Sequence, residues 1–162
     1  MNTKHRALAL TGIIMATALL GHKIIHTEIV IPAMPENVWP VLTDAPGYSS
    51  WNPVMVEVEG EYREGAKLTY RVRETSGKES TMTSKVIRLV ERRELRQFGG
   101  IRGILTFEHR WILEPVDGGT RVTQHEEYRG VGVWFWDASW VEPAYSRANE
   151  ALREKVLEAT GA

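Results

Sequence analysis

The sequence predicts an α+β domain in which a curved antiparallel sheet wraps one long C-terminal helix, with two short helices after the first strand. Three observations carry this. Apolar and polar residues alternate with period two in segment after segment from residue 23 to residue 128. Asp117-Gly118 sits between two such segments and marks a tight hairpin. After residue 140 the apolar period changes to three or four, the spacing of one helix face. With 162 residues, 43% of them hydrophobic and 25% charged, the chain is long enough for one core.

Taken in order, KIIHTEIVIP from Lys23 reads as a strand with Ile25, Thr27, Ile29 and Ile31 on one face and Ile24, His26, Glu28 and Val30 on the other. Pro35 at a first helical turn, with Val38-Trp39 and Val41-Leu42 behind it, predicts a short helix ending around Asp44 to Gly47. A second short helix is expected from Tyr48 to Trp51. Val54, Val56 and Val58, then Leu68, Tyr70 and Val72, mark the inward faces of two strands. Residues 79–90 and 94–98 supply two more, joined at Glu91-Arg92-Arg93, with the inward face of the longer one left open by the pattern. Val141, Tyr145, Ala148, Leu152, Val156 and Ala159 form the apolar stripe of the final helix, closed by Gly161. Pro143 leaves two starts open: near Glu142, or near Trp134 with a kink at the proline.

The hairpin is the most informative element. A type I′ turn at Asp117-Gly118 sets Val116 against Gly119 and thereby fixes the whole register. Phe107, His109, Trp111 and Leu113 then share one face with Val122, Gln124, Glu126 and Tyr128, and His109 lies opposite Glu126. The other face carries Glu108, Arg110, Thr123, His125, Glu127 and Arg129, which suits water. A histidine, a glutamine and a glutamate are thus expected to point inward among aromatic residues.

Bulk charge excludes little but is informative on partners. Lys and Arg total 20 against 21 Asp and Glu, so nothing in the overall charge recruits nucleic acid. Arg88, Arg92, Arg93, Arg96 and Arg102 are interleaved with Glu91 and Glu94 and read as a solvated strand edge. The absence of cysteine excludes disulfides, zinc-thiolate sites and thiol nucleophiles. His125-Glu126-Glu127 begins like a zinc-protease motif, but Arg129 stands where the second histidine belongs, so no metal is expected. No G-x-S-x-G, phosphate loop or complete dinucleotide fingerprint is present, and no cofactor is expected.

At the N-terminus, ALALTGIIMATALLG (residues 7–21) follows Lys4 and Arg6 and carries no charge. Its length lies between a secretory h-region of about 7 to 15 residues and a membrane helix of about 20. Ala16-Thr17-Ala18 has the small residues of a cleavage site, whereas Leu19-Leu20 prolongs the apolar run. Residues 1–22 are therefore read as a signal or membrane anchor and 23–162 as the folded domain. The expected location is a bacterial cell membrane with the domain on the extracytoplasmic side, or a secreted or periplasmic form after cleavage.

Five segments, IPAMPENVWPVLTD (31–44), WNP (51–53), EHRW (108–111), GGTRVTQHEEYRG (118–130) and ANEAL (148–152), occur in an order that resembles the SRPBCC superfamily, the helix-grip fold of START domains and birch-pollen-allergen-like proteins. The similarity is greatest to its bacterial polyketide cyclase/dehydrase-like members. It implies a deep, mainly apolar cavity between sheet and helix, and it does not imply a chemistry. On that reading Trp51, Phe107, His109, Trp111, Gln124, Glu126, Tyr128 and Tyr145 are the expected ligand contacts. The leading expectation is a binding module holding a hydrophobic small molecule, a lipid or an aromatic polyketide-like compound, next to a membrane engaged through the N-terminal segment. The alternative is a cyclase or dehydratase in which Glu126 orients His109 and raises its pKa for acid-base work, with Tyr128 as hydroxyl donor. A protein-interaction domain of the Hsp90-activator type is the third reading. Trp134, Phe135, Trp136 and Trp140, with Trp51, form an aromatic set placed at the cavity mouth and helix start.

Overall fold

The computed structural model describes residues 21–161. Its elements are β1 (Gly21–Ile31), α1 (Pro35–Thr43), a 3-10 turn (Pro46–Ser50), β2 (Met55–Glu59), β3 (Lys67–Arg73), β4 (Glu79–Val90), β5 (Glu94–Ile101), β6 (Leu105–Val116), β7 (Gly119–Gly130), a second 3-10 turn (Val131–Trp134) and α2 (Val141–Thr160). All strands join one antiparallel sheet in the order β1-β7-β6-β5-β4-β3-β2. Chain neighbours are therefore sheet neighbours throughout, apart from β1, which closes on β7 at the far edge.

The helix grip follows from two matched apolar surfaces. Val141, Ala144, Tyr145, Ala148, Leu152 and Val156 are buried along α2. The sheet answers with Ile31, Leu68, Val86, Leu95, Trp111, Leu113 and Val122, and α1 adds Val38, Trp39 and Leu42. Each fully buried Leu or Val side chain contributes roughly 1.5–3 kcal/mol, so this double surface supplies most of the driving force. Pro143 falls in the first turn of α2, where no amide hydrogen bond is lost, and the helix begins at Val141 without the alternative kinked start. Gly161 closes it in the left-handed region at φ 70°. Ala159 departs from the expected stripe and is exposed, because the last turn of α2 extends past the core.

The connections after β1 are held by two local devices. The Tyr48 hydroxyl donates to the Leu42 carbonyl (2.8 Å), satisfying an orphan acceptor at the end of α1. Asn52 Oδ1 accepts from the amides of Val54 and Met55 (2.9 Å each), which starts β2 from the Trp-Asn-Pro turn. The second short helix is thus a 3-10 turn over Pro46–Ser50, two residues earlier than expected.

The β6–β7 register is the expected one, with Val116 against Gly119, Trp111 against Gln124 and His109 against Glu126. The turn that sets it is not type I′. Among the described residues Arg92 alone of the non-glycines has positive φ, so Asp117 stays on the negative side while Gly118 takes φ 86°, the requirement of a type II turn. Strand β1 begins at Gly21, paired with Gly130, rather than at Lys23 or Ile24. The strand thus takes in Gly21 and His22, which the sequence pattern assigns to the N-terminal segment. The signal or anchor assigned to residues 1–22 otherwise lies outside the described residues.

Gly119 is the strictest point of the hairpin. It holds φ 143°, and a Cβ there would lie 2.1 Å from the Ile31 carbonyl oxygen, whereas a Cβ on Gly118 would meet nothing. Gly119→Ala should lower unfolding free energy by more than about 1 kcal/mol, while Gly118→Asn should cost less than that. Urea denaturation of the two variants measures the difference.

Candidate functional site

Between α2 and the concave face of the sheet lies a cavity of about 430 Å³. Alternation places its walls. On β3, Tyr70 and Val72 point inward; on β4, Ser80 and Met82; on β5, Gln97; on β6, Leu105, Phe107 and His109; on β7, Glu126 and Tyr128. Tyr145 comes from α2, and Trp136 and Trp140 from the segment before it. Ile101, 65% exposed, lines the open side. Most of this surface is hydrocarbon, so the few polar atoms define the chemistry.

Gly99 gives the cavity part of its room. It faces Phe107 across β5 and β6, and a Cβ added to it would sit 2.4 Å from that ring and 2.4 Å from the Thr83 carbonyl oxygen. Only glycine lets the phenylalanine lie where it does.

Two hydrogen-bond systems meet at the polar end. In the first, Gln124 donates through its amide nitrogen to the Tyr145 carbonyl (3.2 Å) and to Asn149 Oδ1 (2.7 Å), and Asn149 donates to Thr27 Oγ1 (3.1 Å). Its remaining oxygen faces His109 Nε2 at 3.2 Å. In the second, the hydroxyls of Tyr128 and Tyr145 both donate to Glu126 Oε2. A third cluster lies beside them, where the Tyr70 hydroxyl and Ser84 Oγ (2.9 Å) share Gln97 Oε1 as acceptor.

Burial dominates the electrostatics. It lowers the His109 pKa from 6.5 to about 4, against the opposing effect of the Gln124 hydrogen bond, with His125 adding a little repulsion. It raises Glu126 from 4.5 to about 7, even though two tyrosines hydrogen-bond its charged form. Tyr128 and Tyr145 are held well above the ordinary phenol value by burial and by the carboxylate they touch, and burial pushes Tyr70 up to about 12.

Of the sequence-predicted contacts, Phe107, His109, Glu126, Tyr128 and Tyr145 line the cavity, and Trp51, Trp111 and Gln124 do not. Trp51 packs on Tyr48 with ring centroids 4.8 Å apart, and Trp111 is 1% exposed inside the main core. Gln124 is fully buried behind His109 and positions it. The expected imidazole-carboxylate bond is corrected as well. His109 and Glu126 are cross-strand neighbours, yet the histidine turns to Gln124 and the glutamate to the two tyrosines. Neither needs the other's charge, because burial favours the neutral form of both. Sequence reasoning missed Gln97, although its alternation with Leu95 signalled it, and Asn149, which stands one helical turn from Tyr145 on the buried stripe.

Among the described residues no group of three or more His, Asp or Glu is placed to hold a metal. A helix gripped by an antiparallel sheet over an apolar cavity with a small, preformed polar end defines a helix-grip domain for hydrophobic ligands. The chain belongs to the polyketide cyclase / dehydrase and lipid transport family, whose model matches residues 22–157. Similar solved structures include a protein from Rhodobacter sphaeroides (18% identity, TM-score 0.70, covering 86% of this chain and 99% of that one). A putative uncharacterized protein from Rhizobium leguminosarum shares 14% identity at TM-score 0.68, with 86% and 97% covered. Ara h 8.0201 shares 19% identity at TM-score 0.65, with 85% and 99% covered. At these identities the likeness shows the fold. No curated protein matches the chain.

The two inward ionisable groups have opposite linkage to stability. His109 binds its proton less readily when folded, so its contribution is present above pH 6.5 and is lost as pH falls towards about 4. Glu126 binds its proton more readily when folded, so its contribution is present below pH 4.5 and is lost as pH rises through about 7. Between pH 4.5 and 6.5 they oppose each other. The stability of Glu126→Gln, followed by chemical denaturation, should therefore rise more steeply with pH across this window than that of the parent protein.

Proposed function

We propose that this domain is a carrier or sensor that holds a lipophilic small molecule in its central cavity at a membrane surface. The observation that carries the reading is the cavity itself: about 430 Å³, mainly apolar and walled by Val72, Met82, Leu105, Phe107, Trp136 and Trp140, with His109 and Glu126 among its few polar groups. That volume and composition suit a compact apolar ligand with a single polar feature.

The membrane part is supported by where the apolar N-terminal run meets the fold. Gly21 opens β1 beside Gly130, and a Cβ on it would lie 2.6 Å from Val133 Cβ. Gly21, the first described residue, therefore lies beside the 131–134 turn. That turn is bonded to the β5–β6 loop, Gly132 N to the Ile104 carbonyl at 2.7 Å. Together the two loops expose Ile101, Ile104, Val131, Trp134 and Phe135, the last at 89%. An aromatic and branched-chain rim of this kind suits the interfacial layer of a bilayer. Among the described residues no helix is long and apolar enough to cross a membrane, so tethering rests on the N-terminal run. In the expected arrangement the domain is extracytoplasmic.

A second reading, cyclase or dehydratase chemistry, is favoured by one observation. Glu126 lines the cavity with its pKa raised to about 7, the range in which a carboxyl group serves as a general acid or base. His109, lowered to about 4, is a weak base and contributes as an acceptor.

Binding is tested with the uncharged fluorophore N-phenyl-1-naphthylamine. The parent protein should enhance its emission, and Leu105→Trp, which fills the cavity, should weaken binding at least about tenfold while leaving the melting temperature close to the parent value. Equal binding by both proteins would remove the cavity as the site. For the membrane part, the full-length protein should fractionate with membranes and retain Met1, and Trp134→Ser with Phe135→Ser should reduce flotation of the domain with phosphatidylglycerol vesicles. A soluble form with Leu19 as its N-terminus would overturn the tether. Turnover of a supplied poly-β-ketone that is lost in Glu126→Gln would establish the enzymatic reading instead.

A further inference from the structure

The polar end of the cavity has a direction that the apolar walls do not. The Tyr145 backbone carbonyl can only accept, so the Gln124 group facing it is the NH2, and the Gln124 oxygen is the atom turned to His109 Nε2. Asn149 Oδ1, accepting from the same NH2 while its own NH2 donates to Thr27, agrees with this assignment. An acceptor at Nε2 requires the proton there. His109, neutral near pH 7 because of its burial, is then the Nε2–H tautomer, and Nδ1 carries a lone pair. That Nδ1 is buried and has no hydrogen-bond partner among the described residues. The ring cannot turn away, since Trp111 and Tyr145 pack edge-on against it at 5.6 and 5.3 Å between centroids.

The neighbouring groups do not supply the missing proton. Tyr128 and Tyr145 spend their hydroxyl protons on Glu126 Oε2. Gln97, opposite His109 on β5, accepts from Tyr70 and Ser84 through its oxygen, and its NH2 makes no hydrogen bond to Nδ1.

We propose that the ligand of this cavity is a lipophilic alcohol or phenol whose O–H donates to His109 Nδ1. A ketone, ester or ether of the same shape would set its own lone pairs against that of the imidazole and leave a buried acceptor unpaired. The relay from Thr27 through Asn149 and Gln124 leaves His109, a residue of the cavity wall, with an unpaired acceptor at Nδ1 and thereby sets the class of ligand. This inference rests on the ligand-binding reading above and sharpens it.

The test uses 2-naphthol and its aprotic isostere 2-methoxynaphthalene, each displacing N-phenyl-1-naphthylamine from the purified protein at neutral pH. The naphthol should bind about tenfold more tightly than the ether to the parent protein, the discrimination of one buried hydrogen bond. In His109→Phe that preference should shrink to about twofold or less. Because this variant also strips Gln124 of its partner, a second measurement keeps the parent intact. In 15N NMR, His109 should show an unprotonated Nδ1 and a protonated Nε2, and Nδ1 should shift upfield with 2-naphthol and not with the ether. Equal affinity for the two compounds, a preference that survives in His109→Phe, or a proton on Nδ1 would each overturn the inference while leaving a cavity that binds. Failure of the fluorophore and both compounds to bind would instead remove the ligand-binding reading, and this inference with it.

Discussion

One buried amide pair decides how this domain is assembled. Gln124 on β7 and Asn149 on α2 are each almost fully inaccessible to water, and they satisfy each other through a 2.7 Å hydrogen bond. Apolar packing alone would let α2 slide along the sheet, since one buried alanine or leucine replaces another at modest cost. The amides do not permit it. A helix shifted by one turn would leave both groups unpaired in hydrocarbon, at about 1–3 kcal/mol for each lost partner. The same pair reaches Thr27 on β1 and His109 on β6, so three strands and the helix are referenced to a single polar point. Position of the helix, edge pairing of the sheet and orientation of the imidazole are consequences of one network.

The fold was legible in the sequence wherever periodicity or local backbone chemistry dictated it. Alternation in β6 and β7 and a glycine-bearing turn gave the correct register even though the turn type differed, because a type II turn and a type I′ turn both set Val116 against Gly119. Pro35 and Gly161 marked helix ends for reasons that depend on their own backbones, whereas Pro143 left two starts open and only the structure chose between them. The site was legible only in part, since facing inward and touching a cavity are different properties. His109, Glu126 and Tyr128 share a face with Trp111 and Gln124, yet the first three line open space and the other two are covered by neighbours that lie far away in sequence. Nor could pattern reveal that the histidine and the glutamate, although opposite, find separate partners. That choice is made by Tyr145 and Asn149 on α2, whose reach depends on the packing of the whole helix.

The two ionisable groups also show how an apolar container keeps polar groups without a buried ion pair. Forming one would have required desolvating two charges, a cost their attraction seldom repays. Here the imidazole is neutral and held by an amide, and the carboxyl is near its titration point and held by two phenols. The interior therefore gains directional hydrogen bonding at little electrostatic cost. Charges are gathered on the outer face instead, where Glu94, Glu108 and Glu127 are ringed by Arg88, Arg96, Arg110 and Arg129.

Gly99 gives this container an unusual evolutionary position. The space beneath the Phe107 ring exists because one residue lacks a side chain, and a single nucleotide change turns a glycine codon into an alanine codon. A lineage can therefore turn the phenylalanine into the chamber in one mutational step, provided that the Thr83 carbonyl on the neighbouring strand gives way as well. Relatives with the same architecture need not share a chamber size, and a roomier member and a tighter one can be close neighbours in sequence space.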